Sequence, residues 1–121
     1  MLRARYVLAL LTVLFPLLAA GTEQNDASGW KPVLDISDRL VIDIGKFAVY
    51  EYDQNNHKDL VFQNVTEGAY KDVKEGTQYR LVITVRDNDS TLNPNPVYQA
   101  IVFRRPWDRF KKLLSFVQIS N

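Results

Sequence analysis

The chain has 121 residues, 46% of them hydrophobic and 24% charged, and a formal net charge of +1. It contains no cysteine, which excludes disulfides, zinc–thiolate sites and cysteine nucleophiles. Near-neutral charge gives no global pull towards nucleic acid or an anionic membrane.

Residues 1–21 read as a secretory signal peptide. Arg3 and Arg5 form a basic start, VLALLTVLFPLLAA is almost wholly apolar, and Ala19, Ala20 and Gly21 make a small-residue exit. The apolar run is short for a membrane span, which takes about 20 residues; an uncleaved anchor is the rival reading. Residues 22–28 (TEQNDAS) form a flexible polar leader. The remaining chain, 29–121, is one domain of about 100 residues, expected to be secreted, monomeric and off the membrane once the signal is removed.

Gly29-Trp30-Lys31-Pro32 opens that domain, and Pro32 biases Lys31 towards an extended backbone. Residues 33–36 (VLDI) suit a short strand or a docking segment. Residues 37–52 (SDRLVIDIGKFAVYEY) carry the clearest helical pattern, with Leu40, Ile44, Phe47 and Ala48 on one face. Ser37 is the expected N-cap, and Asp38 puts negative charge in the first turn. Asp53-Gln54-Asn55-Asn56 reads as a polar stop.

Everything beyond reads as strand and turn. Strands are expected over 60–65 and 69–73, with a turn at Lys74-Glu75-Gly76 in which Gly76 supplies a positive φ. Residues 78–86 form the best strand: Tyr79, Leu81, Ile83 and Val85 alternate with neighbours that are polar except for Val82. Residues 87–96 (DNDSTLNPNP) are a loop of turn formers, and 97–103 a further strand. Pro106 has no N–H to give a ladder, so Arg104-Arg105-Pro106-Trp107 marks another turn. The last segment fits helix or strand on local pattern alone. One helix followed by strands suggests a sheet wrapped against that helix. If the strands form a meander, the turns at 73–76 and 104–107 share one end of the sheet.

A search for catalytic residues is negative. His57 is the one histidine, in a polar loop, and no G-x-S-x-G, H-E-x-x-H or phosphate-binding glycine loop is present. An enzyme is not expected, nor a cofactor or metal. The run 104–112 (RRPWDRFKK) interleaves five basic residues with Trp107 and Phe110, as an anionic-surface or nucleic-acid patch would. The simpler reading is a solvated strand edge whose cations discourage edge pairing, with no nucleic-acid partner.

Ile44-Gly45-Lys46-Phe47-Ala48-Val49-Tyr50-Glu51-Tyr52-Asp53 resembles the helix signature of the plant cystatins (phytocystatins), inhibitors of papain-like cysteine proteases, except that Asp53 stands where asparagine is usual. Gly29-Trp30-Lys31-Pro32 is similar to that family's N-terminal trunk, Gly76-Thr77 to the close of its first hairpin loop, and Pro106-Trp107 to its second. The resemblance covers 29 to about 119. It implies an α+β fold, a four- to five-stranded antiparallel sheet around one helix, with the final segment a strand. It also implies a wedge mechanism. Trunk residues Gly29 and Trp30, first-loop residues Asp72, Val73, Lys74, Glu75 and Gly76, and second-loop residues Pro106 and Trp107 would enter a papain-like protease cleft and block it reversibly.

The first loop departs from the family's Q-x-V-x-G: this chain has Asp72-Val73-Lys74-Glu75-Gly76. An uncompensated polar group in a desolvated cleft costs roughly 1–3 kcal/mol, about one to two decades of affinity, unless Lys74 snorkels or pairs with Asp72. Weakened inhibition is the expectation, and a cystatin-fold interaction protein with little inhibition is the alternative. Two glycosylation sequons occur, at Asn64 and Asn88, the second in a loop.

Overall fold

A computed structural model describes residues 29–120. They fall into two units, one ending at Lys31 and one beginning at Pro32. The elements run β1 (Lys31–Pro32), α1 (Arg39–Asn56), β2 (Leu60–Val73), β3 (Gly76–Asp87), β4 (Val97–Arg105), a 3₁₀ turn (Pro106–Asp108) and β5 (Phe110–Ser120). Strand order follows chain order, β1-β2-β3-β4-β5, and β2 to β5 pair antiparallel. This is the expected α+β architecture, and it settles the final segment as a strand.

The core lies between α1 and one face of the sheet. Alternation along β3 sends Leu81, Ile83 and Val85 inwards, and β4 adds Tyr98, Ala100 and Val102. From the helix, Val41, Ile44, Ala48 and Val49 meet them. Ile44 and Ala48 are buried as expected, whereas Leu40 and Phe47 are only partly covered. The buried face is centred closer to Gly45. A Cβ there would come within 2.9 Å of the Phe62 ring and 3.1 Å of Val65, so the bare glycine lets the helix sit hard against β2. Counting apolar side chains alone misses such a contact. Tyr52, Tyr98 and Phe116 close the far side as an aromatic cluster, with centroids 4.4–5.8 Å apart.

Both helix ends differ from expectation. The N-cap is Asp38, whose carboxylate accepts from the Leu40 N–H at 2.9 Å. Ser37 instead donates to the Asp35 carboxylate, through its N–H and its hydroxyl. The helix runs on through the polar stop to Asn56 and closes at His57, in the left-handed region with φ 54°. The stop fails because its residues are used for capping: Asn56 donates to the Tyr52 carbonyl, and the Asp53 carboxylate accepts the Leu60 N–H at 3.1 and 3.3 Å. His57 thus has a backbone role in ending the helix.

The strands expected at 60–65 and 69–73 are one strand of 14 residues. Register shifts between Phe62 and Asn64 and between Val65 and Glu67 put bulges in the ladder, only the second of them at the edge of the expected break at 66–68. Residues 33–36 form no strand; Val33 N–H donates to the Gly68 carbonyl at 2.9 Å and the chain then bends into the helix. No helix among the described residues is long and apolar enough to cross a membrane. Residues 1–28, with the expected signal peptide and leader, lie outside the described residues.

Candidate functional site

The β2–β3 hairpin closes at the Val73↔Gly76 pair, leaving Lys74 and Glu75 as its two-residue tip. Both are exposed. The positive φ falls on Glu75, at 69°, and not on Gly76 as the sequence suggested. Gly76 has a different task. A Cβ on it would lie 2.5 Å from the Arg104 carbonyl oxygen and 2.7 Å from the Phe103 ring. The glycine is what lets β4 pass close beside the hairpin. Asp72 does not pair with Lys74; Thr77 hydroxyl donates to it across the hairpin at 3.2 Å.

Thr77 pairs with Arg104, and Arg105 with Phe110, so the β4–β5 turn lies at the same end of the sheet as the first hairpin tip. That expectation from the meander holds. Pro106 starts a single 3₁₀ turn through Asp108, and Trp107 stands out from it with 67% of its surface exposed. A Trp indole left in water on a proline-stiffened turn is a large apolar face held in place by the backbone.

The turn is braced by a contact that motif reading missed. Arg105 Nε donates to both Asp108 oxygens, at 3.1 and 2.9 Å, and Nη2 makes a further 2.9 Å contact. Asp108 also accepts the Phe110 N–H at 3.3 Å. The Arg105 guanidinium lies 4.4 Å from the Phe110 ring centroid. The Arg-x-x-Asp spacing was the available signal. Arg109 closes the turn with φ 57°, its N–H reaching the Pro106 carbonyl at 3.4 Å.

The basic run is therefore divided, not a continuous patch. Arg105 is held by Asp108. Arg104 donates to the Tyr79 hydroxyl, whose pKa burial raises and this cation partly lowers again. Lys111 sits 5.5 Å from the Phe47 ring. Arg109, which closes the turn bearing Trp107, and Lys112, paired with Phe103 in β5, remain as exposed cations.

Of the trunk, Gly29 is exposed with φ 87°, a conformation glycine adopts freely. Trp30 is only 8% exposed, so little of its ring is offered to a partner. Both belong to the unit ending at Lys31. Asn88 is exposed in the turn after β3, its Oδ1 accepting from Arg86 Nε at 3.1 Å. Asn64 lies within β2, its side-chain oxygen accepting from the Thr84 hydroxyl. No group of His, Asp or Glu suited to a metal occurs among the described residues.

Comparison with known proteins finds relatives of this chain and of its fold. A family model described as "Aspartic acid proteinase inhibitor" matches residues 33–119. The chain is 36% identical over 115 residues to "Cysteine proteinase inhibitor 5" of Arabidopsis thaliana, covering 95% of this chain and 89% of that protein. It is 34% identical to "Cysteine proteinase inhibitor 1" of Actinidia chinensis var. chinensis, covering 84% of each. Its fold matches a salivary cystatin of the soft tick Ornithodoros moubata with a TM-score of 0.63 at 16% identity, over 75% of this chain and 96% of that one. The named relatives and the family description differ on protease class but agree on protease inhibition, without enzyme activity. The chain belongs to the plant cystatin (phytocystatin) family of protease inhibitors.

Proposed function

We propose that this chain is a reversible, tight-binding inhibitor of papain-like cysteine proteases. It blocks the active-site cleft with the trunk at Gly29, the first hairpin tip from Asp72 to Gly76, and Pro106-Trp107, while the buried Trp30 stays out of the contact. The observation that carries the reading is the pairing of Thr77 with Arg104, which brings a narrow tip and an exposed, proline-ordered Trp to one sheet end. Trp is a frequent anchor of interface energy, and a preformed edge binds without first being ordered. Lys74 at the tip lowers potency, because it has no partner to offset desolvation.

A second reading, inhibition of an aspartic protease, is favoured by the description of the matching family model and by the charged first tip. We further propose that the chain acts as a secreted monomer, with glycan on Asn88 in preference to Asn64, which is engaged within its strand.

The test is the inhibition constant of the chain from residue 22 against papain and against pepsin, beside Trp107→Ala. Inhibition of papain that weakens at least a hundredfold in the variant supports the wedge. Inhibition of pepsin alone moves the function to the aspartic class. Inhibition of neither, with native circular dichroism, leaves an interaction protein on an inhibitor fold.

A further inference from the structure

A cleft of about 520 Å³ lies between α1 and β2, away from the inhibitory edge. Its apolar walls are Ile36 from the segment before the helix, Ile42 from the helix, and Phe62 and Val65 from β2. Two features make it. Gly45 seats the helix against Phe62 and Val65, which sets the depth of the cleft. The register shifts leave Gln63 and Thr66 without partners in β3, and a strand bends where it carries such extra residues. Phe62, Gln63, Asn64 and Val65 all line the cleft, although successive residues of a regular strand face opposite sides.

Charge gives the cleft a preference. Lys46 is the one charged side chain among the described residues that line it. It follows Ile42 by one helical turn, and its Nζ lies 6.0 Å from the centre of the Phe62 ring. It is exposed, and among the described residues it belongs to no ion pair. A second cleft, of about 310 Å³, makes the contrast: its charged residues are Asp35 and Asp38, and its aromatic ones Tyr70 and Tyr79. The larger cleft falls within the size of small-ligand sites, roughly 300–1,000 Å³, which pair apolar walls with a few placed polar groups. An apolar hollow with a single cation suits an apolar body that carries one negative charge.

We propose that this cleft binds a small amphipathic acid, an aliphatic chain ending in a carboxylate. The chain lies against Ile36, Ile42 and Phe62, and the carboxylate meets Lys46. The amide groups of Gln63 and Asn64 are further donors beside it. An added peptide strand is the competing occupant. The bulges argue against it, because strand addition needs a regular ladder along the edge of β2. The cleft lies on the half of β2 away from the hairpin tip, so its occupancy does not depend on protease binding.

The test titrates the isotopically labelled chain from residue 22 with decanoate, below its micelle-forming concentration, and follows the backbone amide shifts. Shifts should gather on Ile36, Ile42, Lys46 and residues 62–65, and spare Tyr70 and Tyr79. Decyltrimethylammonium, a chain of the same length with the opposite charge, should leave the cleft residues unmoved. Lys46→Met should weaken decanoate binding about fivefold, the scale of one exposed ion pair, and Lys46→Arg should keep it. Ile42→Glu places an acid four residues before Lys46, the favoured helical pairing, so it should keep the helix and abolish binding.

An affinity for decanoate unchanged by Lys46→Met overturns the proposal. Equal shifts with the cationic chain do the same, as do shifts scattered over exposed apolar residues such as Leu92 and Leu114. If an acetylated Thr-Val-Thr-Leu peptide with a free carboxylate binds the same residues more tightly than decanoate, the cleft serves a partner chain and the small-acid assignment falls.

Discussion

Gly76→Ala tests the link between the fold and the proposed inhibitory edge. The added Cβ would meet the Arg104 carbonyl oxygen at 2.5 Å and two atoms of the Phe103 ring at 2.7 and 2.8 Å. The ring can turn aside, but the carbonyl belongs to β4, whose Arg104 pairs with Thr77 and Lys111. An ordinary contact needs roughly an ångström more, so β4 must withdraw or the hairpin must tilt. Overpacking of this kind costs about 1–3 kcal/mol. At about 4–8 °C per kcal/mol for a domain of this size, Tm should fall by roughly 5–20 °C. The displacement falls between the first tip and the turn bearing Trp107. Inhibition, measured well below the new Tm, should therefore weaken about tenfold or more while the far end of the sheet keeps its amide protection. Thermal unfolding by circular dichroism and papain inhibition are the two readouts. A Gly76→Ala protein with unchanged Tm would refute the close approach of β4. One with lower Tm and unchanged inhibition would refute the claim that this approach aligns the two loops.

Asp53→Asn should stabilise the protein at neutral pH. Burial, together with the carboxylates of Asp59, Asp87 and Asp89, raises the pKa of Asp53 although the Leu60 N–H favours its charged form. A raised folded pKa means that the native state binds the proton more tightly than the unfolded state, so stability falls as pH rises through that pKa. Asparagine keeps an oxygen for Leu60 and removes a negative charge from a helix C-terminus, worth about 0.3–1 kcal/mol. Its advantage in Tm should shrink as pH drops through the Asp53 pKa and vanish below the ordinary carboxylate value; an advantage independent of pH would exclude the charge as its cause. Asp108→Asn should change Tm little, since an exposed ion pair is worth about 0–1 kcal/mol, but broaden the fluorescence lifetimes of Trp107 and weaken inhibition a few-fold. Arg105→Lys should do the same, because an ammonium cannot replace the forked contact. Gly45→Ala sets a helix-propensity gain of about 1 kcal/mol against overpacking on Phe62 and Val65 of about 1–3 kcal/mol, so a lower Tm is expected.

Much of this molecule is legible in the order of its residues because its strongest signals are periodic. The alternation of Tyr79, Leu81, Ile83 and Val85 makes β3, and Pro106-Trp107 marks the turn between β4 and β5. What eludes reading is non-periodic. Gly76 was expected to bend the chain, but the bend is made by Glu75, and Gly76 instead admits a strand 28 residues further along. Asp53-Gln54-Asn55-Asn56 has the composition of a turn, yet the helix continues through it because β2 supplies the Leu60 N–H to Asp53. In each case the deciding atom comes from a distant element. Local propensity cannot register such a partner.

The residues that build the edge and the residues that tip it are nearly separate sets. Leu81, Ile83, Ala100 and Val102 hold the register that aligns the two turns, and Gly76 and Gly45 allow the close packing. None of them is an exposed tip. Lys74, Glu75, Trp107 and Arg109 are exposed at the tips and contribute nothing to the core. Changing them alters what the edge meets while leaving the fold that presents it. The named relatives are described for cysteine proteases, and the matching family model for an aspartic one. Fold membership follows from the first set of residues. On the proposed reading, protease class and preference lie in the second, where this chain carries Lys74 at the first tip and, in Glu75 and Arg109, two charges in left-handed backbone.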